Sequence, residues 1–292
     1  MGGESLIAAV TGAVLPRHAW IESAGLRLHC LEWGDAAAPP VLLIHGNGGN
    51  AHWWDPLVPF LTPGWRLVAP DLRGHGESEW PREPAYGIAD CSGDLAALLD
   101  QLGLDRVAVI AHSMGARIAV WLAAHHPARV RGLALLDTTL AGVDEDVARQ
   151  WRGRTIGQRQ GRVYATRAEA RAAFRFVPPE PEVATAIADA LAYHAIYERA
   201  PGEWSFRFDR GVLSLDGDGA GDLLEVAAGI GCPLWMGRGT EGSVTPRREV
   251  KALQARRDGV EAYDFAGGHH FFLSHPREAG MALRRFIDRL PA

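Results

Sequence analysis

The sequence predicts an α/β protein, a mostly parallel sheet with helices on both faces. Short runs rich in Val, Ile and Leu recur along the chain without polar alternation, as strands buried on both faces require. Between them lie stretches with helical periodicity, and strand and helix in alternation is the pattern of a sheet joined by crossover helices. With 292 residues, 47% hydrophobic and 22% charged, the chain is long enough for a sizeable core and has an ordinary globular composition.

Taken in order, residues 18–34 suit a strand pair turning at Ala24-Gly25. Buried strands are expected at Val41 to Ile44, Arg66 to Ala69, Val107 to Ala111 and Gly132 to Leu136, and again at Leu234 to Met236 and Val260 to Phe265. Helices are expected at Ile88 to Leu102, Met114 to His125, Arg247 to Arg256 and Arg277 to Leu290. From Leu140 to about Ile230 the rhythm breaks. Helix-like pieces (Asp144 to Arg159, Arg167 to Phe174, Glu182 to His194) surround Pro178, Pro179 and Pro181, and residues 202–209 read as extended. This segment is expected to be a mainly helical insertion over one edge of the sheet. The division is an N-terminal extension at 1–19, a core at 20–139 and 229–292, and the insertion at 140–228.

Thirty basic against thirty-five acidic residues give a formal charge of −5 with no basic block, which argues against nucleic acid and anionic membranes as partners. Three widely spaced cysteines without a CxxC pair argue against a disulfide framework or a thiolate zinc site. No apolar run approaches the ~20 residues of a membrane helix. The apolar stretch Leu6 to Leu15 follows Glu4, with neither a basic n-region nor a persuasive cleavage site, so a cytoplasmic location is expected and secretion is the lesser alternative.

The strongest local signal is Val109-Ile110-Ala111-His112-Ser113-Met114-Gly115-Ala116. A strand runs into a serine flanked by small residues and a helix begins at once. A nucleophile on so sharp a turn needs small neighbours, and the helix N-terminus leaves free N–H groups beside its oxygen. The bland alternative is a serine that merely caps a helix. His45-Gly46-Asn47-Gly48-Gly49 follows a buried strand and offers backbone N–H groups, but lacks the spacing of a dinucleotide or P-loop phosphate site. Near the C-terminus stands Gly267-Gly268-His269-His270-Phe271-Phe272-Leu273-Ser274-His275-Pro276.

HGNGGNAHWW (45–54), DLRGHGES (71–78), AHSMGA (111–116) and GGHHFFLSHP (267–276) together resemble the α/β-hydrolase superfamily, in its order and at its separations. Ala111 stands where the family's G-x-S-x-G has its first glycine. The likeness covers residues 20–138 and 230–290. It implies an eight-stranded, mostly parallel sheet with a cap inserted after the sixth strand. It implies Ser113 as nucleophile and His269 as general base, with His270 the neighbouring alternative. The oxyanion donors would be the backbone N–H groups of Asn47 and Met114, while His45, Asp71, Arg73 and His75 would be structural.

The acid departs from the family's commonest pattern, because Gly242 occupies the place after the seventh strand where many members carry aspartate. Asp137, ending the sixth strand, and Glu241, one residue off the usual place, are the two candidates. Asp137 is favoured because a strand's C-terminal end holds a side chain rigidly. The resemblance implies a serine hydrolase acting on a small-molecule carboxylic ester or lactone, with no metal or organic cofactor. Thioester, amide and carbon–carbon bond hydrolysis share such a site. A serine counts against the haloalkane dehalogenases and epoxide hydrolases of the superfamily, which attack with a carboxylate. The rival class is a ligand-binding protein that keeps the fold without turnover. Trp53, Trp151, Tyr164 and Phe271 are the candidate pocket residues, and oligomeric state is not legible.

Overall fold

The computed structural model describes residues 12, 14–141, 162–213 and 221–291. Eight strands form one sheet in the order β1-β2-β4-β3-β5-β6-β9-β10. They are β1 (Arg17–Ser23), β2 (Leu26–Trp33), β3 (Pro40–Ile44), β4 (Arg66–Pro70), β5 (Val107–His112), β6 (Val130–Leu136), β9 (Leu234–Gly239) and β10 (Glu261–Phe265). β2 runs antiparallel to β1 and β4, and the other neighbours are parallel. β1 starts inside the expected N-terminal extension: Arg17, His18 and Ala19 pair with Glu32, Leu31 and Cys30 and belong to the sheet.

The continuous apolar runs have a simple cause. Leu42 and Ile44 enter one core while Val41 and Leu43 enter the other, and β5 divides in the same way between Val107, Val109 and Ala111 and Ala108 and Ile110. With strand side chains pointing alternately to opposite faces, both phases must be apolar once helices cover both faces. The first face is covered by α1 (Ile88–Gln101) and α2 (Met114–His125), with α5 (Leu224–Gly229) and α6 (Arg247–Arg256) beyond them. The second is covered by the Ala51–Leu61 turns, the Phe271–Ser274 turn and α7 (Pro276–Asp288). Among the described residues no helix is long and apolar enough to cross a membrane.

The insertion contains α3 (Arg167–Ala173), α4 (Thr185–His194) and a separate two-stranded sheet of β7 (Ile196–Ala200) and β8 (Glu203–Phe206). The extended reading of 202–209 thus corresponds to the second arm of a hairpin. The helix expected at 144–159 lies outside the described residues. The insertion's ends meet: the Leu223 N–H donates to the Leu140 carbonyl at 2.7 Å. Arg117 of α2 pins the same junction through the carbonyls of Thr139, Leu140 and Gly221. α5 follows that junction and packs Leu224 and Ala227 into the core, so the expected insertion limit at residue 228 falls several residues late. The hairpin docks on the loop after β4, where Gly76 N–H donates to Arg207 O at 3.0 Å and Asp209 N–H to Gly74 O at 2.8 Å.

Candidate active site

The loops after β3, β5, β6 and β10, at the C-terminal ends of the parallel strands, bring the candidate residues together. Ser113 separates β5 from α2 with φ 53° and ψ −121°. An L-residue adopts that backbone at a cost of about 1–3 kcal/mol, so the surrounding bonds must impose it. Its N–H donates to Leu136 O at 2.9 Å, and its carbonyl accepts from Thr138 Oγ1 at 2.9 Å. Although Ser113 is the residue before α2, its side chain makes no capping bond. Its Oγ instead lies 3.1 Å from His269 Nε2. The capping alternative is therefore set aside.

His269 Nδ1 lies 2.7 Å from Asp137 Oδ2. Asp137 is fully buried at the end of β6, with its own N–H tied to Gly237 O at 2.8 Å. Its Oδ2 also accepts from Val244 N–H at 3.0 Å, and its Oδ1 from Ser243 Oγ. With a carboxylate at Nδ1, that nitrogen carries the ring proton and Nε2 is left to accept from the serine hydroxyl. Glu241 is exposed, and its N–H serves only to bind Gly267 O at 3.0 Å. The segment after β9, where the family's acid commonly sits, here gives a hydroxyl and an N–H to an acid on β6.

The loop after β3 folds against the serine. A Cβ at Gly46 would stand 3.0 Å from Ser113 Cβ and 2.7 Å from His112 Nδ1, so only glycine lets the Gly46-Asn47 peptide come this close. Gly48 N–H donates to His75 Nε2 at 3.2 Å, and His75 Nδ1 donates to Arg73 O at 3.0 Å. His45 Nε2 accepts from Leu72 N–H at 3.0 Å. Asp71 takes Ala51 N–H, Glu77 N–H and His29 Nδ1, while Arg73 grips the buried Asp94 through two bonds of 2.6 and 2.7 Å. The second motif is a brace for the first. Burial would raise Asp71, but the hydrogen bond and charge of His29 prevail and hold it well below the usual carboxylate range. Burial pushes His75 down to about 3 and lowers His45 as well.

Asn47 is exposed and Met114 half-buried. The Met114 N–H opens α2, in the turn where helical N–H groups have no helical acceptor. His270 packs on Trp53 at 5.1 Å and on Phe176 at 5.4 Å. Burial first, then the charge on His269, hold His270 and His112 well below the ordinary imidazole value. Ring nitrogens of His112, His269 and His270 come within 4.8 Å of one another. His269 is bonded to Ser113 and Asp137, and His112 Nε2 donates to His269 O at 3.0 Å, so this grouping reads as a packed acid–base site.

Of the pocket candidates, Trp53 lies beside the site and contacts Phe176 of the insertion at 5.8 Å. Tyr164 instead sits in the hairpin packing, bridged to Trp204 and edge-on to Phe206. Phe271 is a correction: it is fully buried and stacks on Phe265 at 4.5 Å, which makes it a core residue. Trp151 lies outside the described residues. Sequence reasoning missed Ser243, and it missed Glu249, whose buried carboxylate holds Thr139 and Leu140 N–H behind the acid. It also missed Glu180 of the insertion. None of these carries a local signal, since each acts on a residue about ninety or more positions away.

The sheet order, a strand–serine–helix turn and an acid and a histidine from later strand ends define an α/β-hydrolase architecture. The family model described as alpha/beta hydrolase fold matches residues 39–175. The chain has the alpha/beta hydrolase fold. It is 37% identical over 121 residues to Epoxide hydrolase 2 of Siraitia grosvenorii, 41% of this chain and 38% of that protein. It is 36% identical over 125 residues to a Haloalkane dehalogenase of Mesorhizobium japonicum, 43% and 40% of the two chains. The matches thus span about two-fifths of those relatives' length. Among solved structures, an esterase of M. tuberculosis aligns with TM-score 0.75 and 26% identity over 99% of both chains.

Proposed function

We propose that the protein is a serine hydrolase that cleaves a carboxylic ester or lactone through an acyl-enzyme on Ser113. The observation that carries this reading is the continuous chain from Ser113 Oγ through His269 to Asp137, at 3.1 and 2.7 Å. His269 Nε2 takes the hydroxyl proton as Oγ attacks the acyl carbon, and Asp137 stabilises the imidazolium that forms. The N–H groups of Asn47 and Met114 receive the charge on the tetrahedral oxygen. His269 then returns the proton to the leaving alcohol, and water repeats the sequence in reverse order to free the acid. Keeping His112 and His270 neutral serves this cycle, because neither adds a positive charge against the imidazolium.

The epoxide hydrolase and dehalogenase named among the relatives attract a second reading. The residue at the elbow argues against it: Ser113 offers a hydroxyl, whereas the carboxylate chemistry of those enzymes needs an acid there. The resemblance to an esterase favours the first reading. The test is fluorophosphonate labelling together with turnover of p-nitrophenyl esters of rising chain length, γ- and δ-lactones, an epoxide and a 1-haloalkane. Stoichiometric label on Ser113 with ester or lactone turnover is expected. Turnover of the epoxide or haloalkane that survives Ser113→Ala would overturn the proposal. Label without turnover of any substrate would leave the ligand-binding alternative, and thioesters and amides are the next arms of the panel.

A further inference from the structure

Glu180 is a carboxylate from the insertion that is buried against the catalytic loop of the core. Its Oε1 accepts from Gly268 N–H at 3.0 Å and from Ser274 Oγ at 3.0 Å, and its Oε2 accepts from His270 N–H at 2.9 Å. The two N–H groups belong to the residues immediately before and after His269, so one anion fixes both the His269–His270 peptide and the Gly267–Gly268 peptide on the other side of the imidazole's residue. The loop is shaped to admit it. A Cβ at Gly268 would stand 2.7 Å from Glu180 Oε2 and 2.9 Å from Glu241 O. Glycine at 268 is thus what the approach of this side chain requires. A buried carboxylate is costly unless hydrogen-bonded, and three donors in this geometry offset that cost while fixing a loop more stiffly than three separate neutral contacts.

From this geometry we infer that Glu180 is a positioning residue that locks the backbone around His269 and couples docking of the insertion to the alignment of the Ser113–His269 pair. The inference rests on the serine-hydrolase reading and adds a residue to it. The flanking segment makes the coupling directional. Phe176, four residues before Glu180, packs on His270 and Trp53, so whatever displaces Pro178–Pro181 from the core also withdraws the carboxylate from both sides of His269. A second link between the same two segments, His275 Nε2 to Glu182 at 3.0 Å, is partly exposed and involves neither of the N–H groups on either side of His269. It provides the control.

In the experiment, wild type, Glu180→Gln and Glu182→Gln are labelled with a fluorophosphonate well below their melting temperatures, and kcat and KM are measured on one p-nitrophenyl ester. A glutamine keeps the size but turns an NH2 toward one of the two loop N–H groups, so one bond is lost and a repulsion replaces it. Misplacing a catalytic group by about 1 Å costs on the order of 100-fold. Glu180→Gln is therefore expected to label about 100-fold more slowly and to lose a similar factor in kcat, with KM within about twofold. Glu182→Gln is expected to match wild type in both. If Glu180→Gln does not fold, Glu180→Asp, which keeps the charge but retracts it by one methylene, serves with the same expectation. A folded Glu180 variant that labels at the wild-type rate overturns the inference, as does equal slowing in Glu182→Gln, which would reduce the contact to docking of the insertion. Wild-type protein that takes no label on Ser113 is a different outcome, the failure of the serine-hydrolase reading itself.

Discussion

Replacing Asp137 by asparagine separates geometry from charge at this site. Asp137 Oδ2 faces two donors, His269 Nδ1–H at 2.7 Å and Val244 N–H at 3.0 Å, whereas Oδ1 faces the Ser243 hydroxyl. An amide that keeps its oxygen in the Oδ2 place satisfies both donors. Its NH2 then donates to Ser243 Oγ, whose proton turns to the Thr245 carbonyl 3.3 Å away. The imidazole therefore keeps Nδ1–H, unlike the serine-protease case, in which the same exchange imposes the wrong tautomer and costs on the order of 10⁴-fold. What disappears is the attraction between a carboxylate and the imidazolium of the transition state. Unit charges about 4 Å apart at an effective dielectric of about 20 attract by about 4 kcal/mol. That corresponds to a loss on the order of 10³-fold in kcat. Asp137→Ala leaves both donors unpaired and the ring free to turn, and should cost on the order of 10⁴-fold or more. The assay is kcat per labelled Ser113 on one ester, for wild type and both variants, with the downfield Nδ1–H proton resonance as the record of the tautomer. Asp137→Asn within threefold of wild type would remove the carboxylate from the mechanism. A loss equal to that of Asp137→Ala, with the resonance gone, would refute the amide orientation argued from Val244 and Ser243.

Glu241→Gln should stay within about twofold of wild type in the same assay, since an exposed loop side chain makes no bond to His269. Ser113→Ala should abolish turnover, and Ser113→Gly should do so while melting higher than the alanine variant by an amount worth about 1 kcal/mol, because glycine adopts φ 53° without strain; equal melting temperatures would contradict this. Gly46→Ala should lower kcat on the order of 100-fold through displacement of the Gly46-Asn47 peptide, with circular dichroism confirming the fold. Stability should fall as pH drops below about 6.5. His45, His75, His112 and His270 all have native values below the unfolded one, so the unfolded chain binds more protons there, at about 1.4 kcal/mol per pH unit for each histidine. For His75 the loss continues from pH 6.5 down to about 3. A melting temperature unchanged between pH 7.5 and pH 5 would contradict it.

Much of this protein is local physics and could be read from residues close together in the chain. Strand positions followed from apolar runs whose two phases enter two cores, and α2 begins at Met114 because the chain must turn sharply after Ser113. The strand–serine–helix turn at Ser113 was legible for the same reason, since small residues around a sharp turn leave a mark within a few positions, whereas His269 was singled out only through the family resemblance of GGHHFFLSHP. The acid did not leave one. Asp137 and Glu241 both end strands or flank their ends, and only the pairing of β6 with β9 beside the β10 loop decides which carboxylate meets the imidazole. Phe271 is among the expected pocket residues, yet it lies fully buried and stacked on Phe265, one step along the turn from His270. Glu180 is the extreme case. Its partners are 88, 90 and 94 residues later, and a carboxylate among prolines has no sequence feature that names the N–H groups it will bind. The sequence by itself determined the layers and the elbow, because those depend on periodicity and on steric demands within one turn. Tertiary structure decided which carboxylate meets His269 and what braces its backbone, because a hydrogen bond between distant segments exists only once the sheet has brought their ends together.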